Sequence, residues 1–262
     1  MAYEALIFEL SDGVARITMN RPEAGNALND AMGKELLDVA IRCSEDQDVR
    51  AVLLAGAGKN FGFGGDLKHF SDNKDTIGHV LKELTTYFHG AVARFQHMEA
   101  PLVVAVNGMA AGAGFSKALI GDIVIAGESA QFKMAYTAAG LIPDGTSTYY
   151  LPRMVGLRRA QELMITNRTL SAAEALDWGV VTTVVPDAAL MDEANALATR
   201  LAAGPTKAYG MVKRLLSRTF EQTLETQMED ESRMIAAAAK SEDGREGLDA
   251  FLNKRKPVFK GR

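Results

Sequence analysis

The sequence predicts an α/β core with parallel strands, followed by a region that is helical throughout. Three short, continuously apolar runs, Ala51–Ala55, Leu102–Val106 and Ile123–Ala126, alternate with segments of helical periodicity. Strands that are apolar at every residue are buried on both faces, as in a parallel sheet covered by helices. Beyond Gly204-Pro205 the strand pattern stops and only helical periodicity remains. The chain therefore divides into a core over residues 1–203 and a helical C-terminal region over residues 204–262.

The elements follow in order. Leu6 to Glu9 and Val14 to Met19 are β-rich, and Ser11-Asp12-Gly13 between them supplies hairpin turn chemistry. Asn29 or Asp30 caps a helix in which Met32, Leu36, Leu37, Ala40 and Ile41 recur at helical spacing. A helix over Gly78–Met98 presents Leu81, Leu84, Phe88, Val92 and Phe95 on one face. Further helices are expected over Ser147–Val155 and Arg158–Thr166. Ser171-Ala172-Ala173-Glu174 has the pattern of a capping box, opening a short helix that Gly179 stops, and Val180–Val185 then reads as a strand. In the C-terminal region the helices are Pro205–Arg218, Phe220–Lys240 and Glu246–Asn253, with proline suited to the first turn. Their apolar faces stand apart from the core and are expected to pack on another subunit.

Composition excludes several classes. A chain of 262 residues, 47% hydrophobic and 24% charged, can bury a core without covalent staples. Its single cysteine, Cys43, rules out an intramolecular disulfide. A formal charge of −4 argues against a nucleic-acid binder that relies on bulk positive charge. It leaves room for a polyanionic small ligand held by a few local cations and backbone donors. Met1-Ala2-Tyr3-Glu4 has no basic stretch and no long apolar run, so no signal peptide is expected there. Leu102–Gly127 is interrupted by Asn107, Ser116, Lys117 and Asp122, which suits a buried core rather than a membrane span. A cytoplasmic protein with no membrane partner is expected.

Gly56-Ala57-Gly58-Lys59-Asn60 lacks the ending of a phosphate loop, and no dinucleotide fingerprint follows a strand. Two other glycine-rich loops occupy similar settings. Phe61-Gly62-Phe63-Gly64-Gly65-Asp66 follows one apolar strand, and Asn107–Gly114 follows the next and runs directly into a helix. The first N–H groups of a helix have no internal partner, so two such loops side by side would present a pair of donors to a developing oxyanion. The histidines, His69, His79, His89 and His97, have no metal-ligand spacing, and no metal is expected. His89, beside Phe88 on an apolar helix, taken alone reads as a structural or half-exposed histidine before a catalytic one. Asp144, in Ile142-Pro143-Asp144-Gly145, is also good turn and N-cap chemistry. No nucleophile elbow surrounds Ser116.

Taken together, the chain resembles the crotonase (enoyl-CoA hydratase/isomerase) superfamily. The resemblance rests on four stretches in the right order: Asn20–Leu28, Phe61–Leu67, Pro101–Asp122 and Ser171–Val185. It implies a crotonase-like spiral of ββα units with a C-terminal helical region that builds homotrimers or dimers of trimers. It also implies a coenzyme A thioester as substrate, no separate cofactor, and an enolate held on the thioester oxygen. By position, the two donors are the N–H groups of Phe63 and Ala113, with Gly112 and Gly114 beside the second. Ala24, Asn26, Gly64, Asp66 and Leu67 fall where the family contacts coenzyme A. Phe251, Lys254 and Lys260 would close the nucleotide end, from the same or a neighbouring subunit. Met109, Phe115 and Tyr136 are expected in the acyl pocket.

Departures from the family narrow the chemistry. The two glutamates by which its hydratases activate water correspond to Ser116 and Tyr136, and neither can serve as a carboxylate acid or base. Gly140-Leu141-Ile142-Pro143-Asp144-Gly145 is similar to the motif of enoyl-CoA isomerases of the phenylacetate-degradation type, where one Asp moves a proton between C2 and C4. The same position also resembles the nucleophilic Asp of 4-chlorobenzoyl-CoA dehalogenase. In that enzyme a histidine base stands twelve residues before the proline of the third motif, as His89 stands before Pro101, and Phe88 and Tyr136 fall at its aryl-pocket positions. The resemblance thus implies Asp144 as acid/base of a double-bond isomerase. The alternatives are Asp144 as nucleophile with His89 as base, and a silent acyl-CoA-binding member.

Overall fold

The computed structural model describes residues 3–262, so Met1 and Ala2 of the amino-terminal stretch lie outside the described residues. The strands are β1 (Leu6–Ser11), β2 (Val14–Met19), β3 (Ala51–Gly56), β4 (Leu102–Val106), β5 (Met109–Ala111), β6 (Ile123–Gly127), β7 (Gln131–Lys133), β8 (Leu170–Ser171) and β9 (Thr183–Val185). The core helices are α1 (Asp30–Glu45), α2 (Leu67–Asp72), α3 (Ile77–His97), α4 (Ala113–Leu119), α5 (Ser147–Val155), α6 (Leu157–Thr166), α7 (Ala172–Asp177) and α8 (Leu190–Ala202). Beyond them come α9 (Thr206–Leu216), α10 (Leu224–Lys240) and α11 (Glu242–Leu252).

A six-stranded sheet runs in the order β1-β2-β3-β4-β6-β9, antiparallel only between β1 and β2. The hairpin turns on Asp12 and Gly13, both at positive φ, the twist that two-residue hairpins need. A second sheet, β5-β7-β8, stands beside the first. Successive turns of chain run from a long strand in the large sheet to a short one in the small sheet and then into a helix, as in β4-β5-α4. This is the ββα spiral.

Both faces of the large sheet are covered. Val52 and Leu54 of β3 face the main core with α1 and α3, whereas Ala51, Leu53 and Ala55 face a second cluster with Leu190, Ala194, Ala198 and Ala202 of α8. The sequence reading places no helix over α8. Its inward positions are mostly alanine, which lets the helix approach the strands closely but weakens the hydrophobic period that announces a helix. The three small-sheet strands are likewise unanticipated, because two or three residues carry no periodicity.

Local signals are realised in detail. Asn29 caps α1, its side chain accepting from the N–H of Met32 at 3.0 Å. Ser171 and Glu174 form both halves of a capping box on α7. Of the strand expected over Val180–Val185, only Thr183–Val185 pairs in the sheet. In the C-terminal region the expected Phe220–Lys240 helix begins only at Leu224, where Thr223 caps it, and Glu242 rather than Glu246 opens α11 under a Ser241 cap. Helix α10 buries no residue, and Phe220, Leu224, Met228 and Ile235 are exposed. Among the described residues no helix is long and apolar enough to cross a membrane.

Candidate active site

The two glycine-rich loops lie side by side at the C-terminal ends of β3 and β4, where open parallel sheets bind ligands. A single-residue bridge from Gly62 to Ala110 joins them, and another ties Gly65 of the first loop to Leu28. A cavity of about 420 Å³ opens there, walled by the apolar side chains of Leu28, Phe70, Leu81, Leu84 and Leu141 and floored by Gly64, Gly65, Gly112 and Ala113. A larger, polar groove of about 850 Å³ lies at the opposite ends of the strands, around Arg50 and the Phe259–Arg262 stretch. None of the chemistry assembled around Asp144 reaches it.

Hydrogen-bond direction decides which amides face the cavity. Among the described residues the N–H of Ala113, the first residue of α4, has no acceptor, as the sequence predicts. The N–H of Phe63, expected as the second donor, is instead donated to the Gly25 carbonyl at 3.0 Å. In the bridge to Leu28 the bonds are made by the Gly64 carbonyl and the Asp66 N–H, so the N–H of Gly65 turns away and, among the described residues, has no partner. Gly64, at φ +94°, brings this loop so close that a Cβ on it would stand 3.2 Å from the Ala113 nitrogen. The loop therefore offers Gly65, not Phe63, opposite Ala113. Two adjacent glycines after a strand are the only sequence signal for it.

Asp144 stands on the wall of the cavity, and among the described residues it is the only carboxylate lining it. Its Oδ1 accepts from the Tyr136 hydroxyl at 2.6 Å. Burial first, and the neighbouring Asp144 second, hold that hydroxyl well above its ordinary titration range, so it remains a donor. Ser116 Oγ lies 3.0 Å from the Tyr136 hydroxyl and 2.8 Å from the Asp144 carbonyl oxygen, which Ser147 Oγ also approaches at 2.8 Å. The two residues at the hydratase glutamate positions thus serve the aspartate. Asp144 Oδ2 is left free, 3.5 Å from His89 Nε2. That nitrogen accepts the Gly145 N–H at 3.2 Å, which assigns the lone pair to Nε2 and the proton to Nδ1.

Other expected site residues are placed as follows. Phe63 and Leu67 line the cavity with exposed side chains. Asp66 caps α2 and pairs with Arg21 at 2.9 Å. Burial raises its pKa, but the guanidinium and the helix N–H groups outweigh this and hold it below the usual carboxylate range. Asn26 is fully buried. It accepts from the Arg21 N–H and donates both amide hydrogens to the Ala57 and Asn60 carbonyls, so it ties these loop segments together and does not line the cavity. Ala24 is half-buried beside it, outside the cavity wall. Gly114 is packed against the Gly62 backbone, a closeness only glycine allows. Phe88 is buried beneath Gly145, and Phe115 packs on Phe132 in the core with ring centroids 5.2 Å apart, so neither reaches the pocket. Met109, in β5, also lies off the cavity wall. Phe251, Lys254 and Lys260 are exposed and do not line the cavity, and Lys260 lines the groove at the other end of the sheet. Among the described residues no group of His, Cys, Asp and Glu assembles that could hold a metal ion.

Comparison with known proteins agrees with this architecture. Residues 9–262 match the family model described as enoyl-CoA hydratase/isomerase. The chain is 40% identical over 262 residues to the 1,2-epoxyphenylacetyl-CoA isomerase of Escherichia coli strain K12, covering 99% of each. It is 35% identical to 4-chlorobenzoyl coenzyme A dehalogenase-1 of an Arthrobacter species, covering 94% of this chain and 90% of that one. The structure superposes on an enoyl-CoA hydratase from Bacillus anthracis with a TM-score of 0.91 at 31% identity, covering 99% of this chain and 100% of that chain.

Proposed function

The chain belongs to the enoyl-CoA hydratase/isomerase family, and from that premise we propose that it is a double-bond isomerase of 3-enoyl-CoA thioesters with Asp144 as its single acid/base. The observation that carries this reading is that Asp144 is the one carboxylate on the cavity wall, with Ser116 and Tyr136 bonded to it rather than poised to activate water. Asp144 Oδ2 removes a proton from C2. The electron pair moves onto the thioester oxygen, which the N–H groups of Gly65 and Ala113 receive. The protonated Asp144 then delivers its proton to C4 as the double bond shifts to C2–C3. A donor pair of this kind is worth on the order of a hundredfold in rate per donor. The apolar walls suit a hydrocarbon or aryl acyl group, in keeping with the arylacetyl thioester in the name of the Escherichia coli relative. The exposed apolar residues of α9 and α10 support the assembly of a homotrimer or a dimer of trimers.

One observation favours a second reading, hydrolytic dehalogenation of a 4-halobenzoyl-CoA: the 3.5 Å approach of His89 Nε2 to Asp144 Oδ2. There Asp144 attacks the ring carbon and His89 activates the water that releases the ester. Mass spectrometry separates the two. A 3-enoyl-CoA and 4-chlorobenzoyl-CoA are incubated together in heavy-oxygen water with the wild type and with Asp144→Ala. Conversion of the enoyl thioester to a conjugated product of unchanged mass, lost in the variant, supports the isomerase. Exchange of chlorine for labelled hydroxyl would replace it with the dehalogenase.

A further inference from the structure

We propose that the buried ammonium of Lys117 supports the oxyanion hole from behind, favouring the enolate by its charge without touching the substrate. This rests on the reading of Gly65 and Ala113 as the donors that receive the thioester oxygen. Lys117 lies four residues beyond Ala113, so both stand on the same face of α4. Long helical side chains run back towards the N-terminus of their helix, which directs the amine to the end where the Ala113 N–H is free. The point that a Cβ of Gly62 would occupy is 3.4 Å from Lys117 Nζ and 3.5 Å from Cα of Gly114, the residue after Ala113. The amine therefore sits where the two glycine-rich loops meet, on the side away from the cavity, whose wall it does not join.

Nothing near the amine neutralises it. Of its three hydrogens one meets the Met19 sulfur, at 3.1 Å, and among the described residues no acceptor takes the other two. Met19 of β2, Leu36 of α1, Leu54 of β3, and Phe88 and Phe95 of α3 enclose it. Among the described residues no titratable or charged side chain of those elements bears on it, and burial alone pulls its pKa down to about 7. A lone ammonium in an apolar core costs stability that a methionine in its place would not. A break with good packing at the back of a reactive site marks a group kept for what it does there.

Proton abstraction moves one negative charge from Asp144 to the thioester oxygen. Asp144 does not bear on the amine, whereas the loops that form the hole pack directly against it. The charge thus moves towards the ammonium as the enolate forms, and the enolate gains more from it than the ionised aspartate does. The tightly packed backbones of Gly62 and Gly114, rather than water, lie on this side of the hole, so the attraction is little screened.

The test separates charge from packing. Acetoacetyl-CoA, a thioester that readily loses a C2 proton to give an enolate, is bound to an excess of wild type, Lys117→Met or Lys117→Leu. The enolate is read by its ultraviolet absorbance between about pH 6 and 9. In parallel, kcat and KM are measured on trans-3-hexenoyl-CoA over the same range. At the acid end the ratio of bound enolate to bound neutral thioester should be about tenfold higher in the wild type than in either variant. There kcat should also be about tenfold higher, with KM nearly unchanged. The wild-type kcat should fall as pH rises past about 7, where the amine loses its proton, and approach that of the variants. An enolate ratio no higher in the wild type overturns the proposal. So do variants slower by one constant factor at every pH, since the side chain would then act by packing alone. A wild-type kcat that stays level past about 7 overturns it even where neither variant folds. A wild type that gives no more enolate than acetoacetyl-CoA free in solution overturns it whatever its turnover. A charge-dependent enolate ratio with no conjugated product from any of the three proteins would refute the isomerase reading and leave the role of Lys117 standing.

Discussion

Replacing Lys117 with methionine should stabilise this protein, and by more at low pH than at high. Lys117 follows Ser116 in α4 and is buried to 1% exposure. Its Nζ finds only the Met19 sulfur, at 3.1 Å, and among the described residues no carboxylate pairs with it. Around it stand Leu36, Leu54, Phe88 and Phe95, with a void of about 10 Å³. Burial pulls its pKa from 10.5 down to about 7. Between those two values the unfolded chain holds one proton more than the folded one, so stability rises with pH across that window and is flat below about 7. At about 1.4 kcal/mol per pH unit, the full penalty below pH 7 has an upper limit of about 5 kcal/mol. Water penetration and the imperfect fit of methionine reduce the expected gain at pH 7 to about 2–4 kcal/mol. Urea unfolding at fixed protein concentration, followed by circular dichroism at pH 6.5, 8 and 9.5, measures it. The gap between variant and wild type should shrink by about 1 kcal/mol per pH unit over the upper part of that range. A gap that does not change with pH, or a variant no more stable than wild type at pH 6.5, would refute the reasoning by showing that the ammonium reaches water.

Three further outcomes follow from single contacts. Gly114→Ala places a methyl into the Gly62 carbonyl, where backbone meets backbone, and should lower stability by about 3 kcal/mol or more in the same unfolding assay. Tyr136→Phe removes the donor that holds Asp144 Oδ1; steady-state kinetics on a 3-enoyl-CoA should show kcat reduced about tenfold with KM nearly unchanged. Ser171→Ala opens the capping box of α7 and should cost about 1 kcal/mol in thermal unfolding while leaving kcat unaffected, because no residue of α7 lines the cavity.

The elements legible in the sequence are those whose cause is local. β3, β4 and β6 announce themselves as unbroken apolar runs because both of their faces are covered. The hairpin, the Asn29 cap and the Ser171 box each follow from two to four adjacent residues. Helix α8 shows the opposite case. Ala194, Ala198 and Ala202 are small because a sheet lies against them, and the sheet is what sequence periodicity does not contain. Asn26 and Phe88 are similar: each falls at a family binding position, yet each side chain is spent inside this fold, on loop carbonyls in one case and under Gly145 in the other.

By itself the sequence determined the fold class, the family, the glycine-rich loops and the aspartate in its Pro-Asp-Gly turn, since all of these are carried by residue type and spacing. Only the tertiary structure decided that Gly65 rather than Phe63 faces Ala113, and that His89 meets the free oxygen of Asp144. It likewise left Lys117, among the described residues, with a methionine sulfur and no carboxylate for its amine. The physical reason is the same in each case. Where an amide points, or what a buried amine meets, depends on which distant strand or loop lies against it, and that partner is chosen only when the whole chain packs.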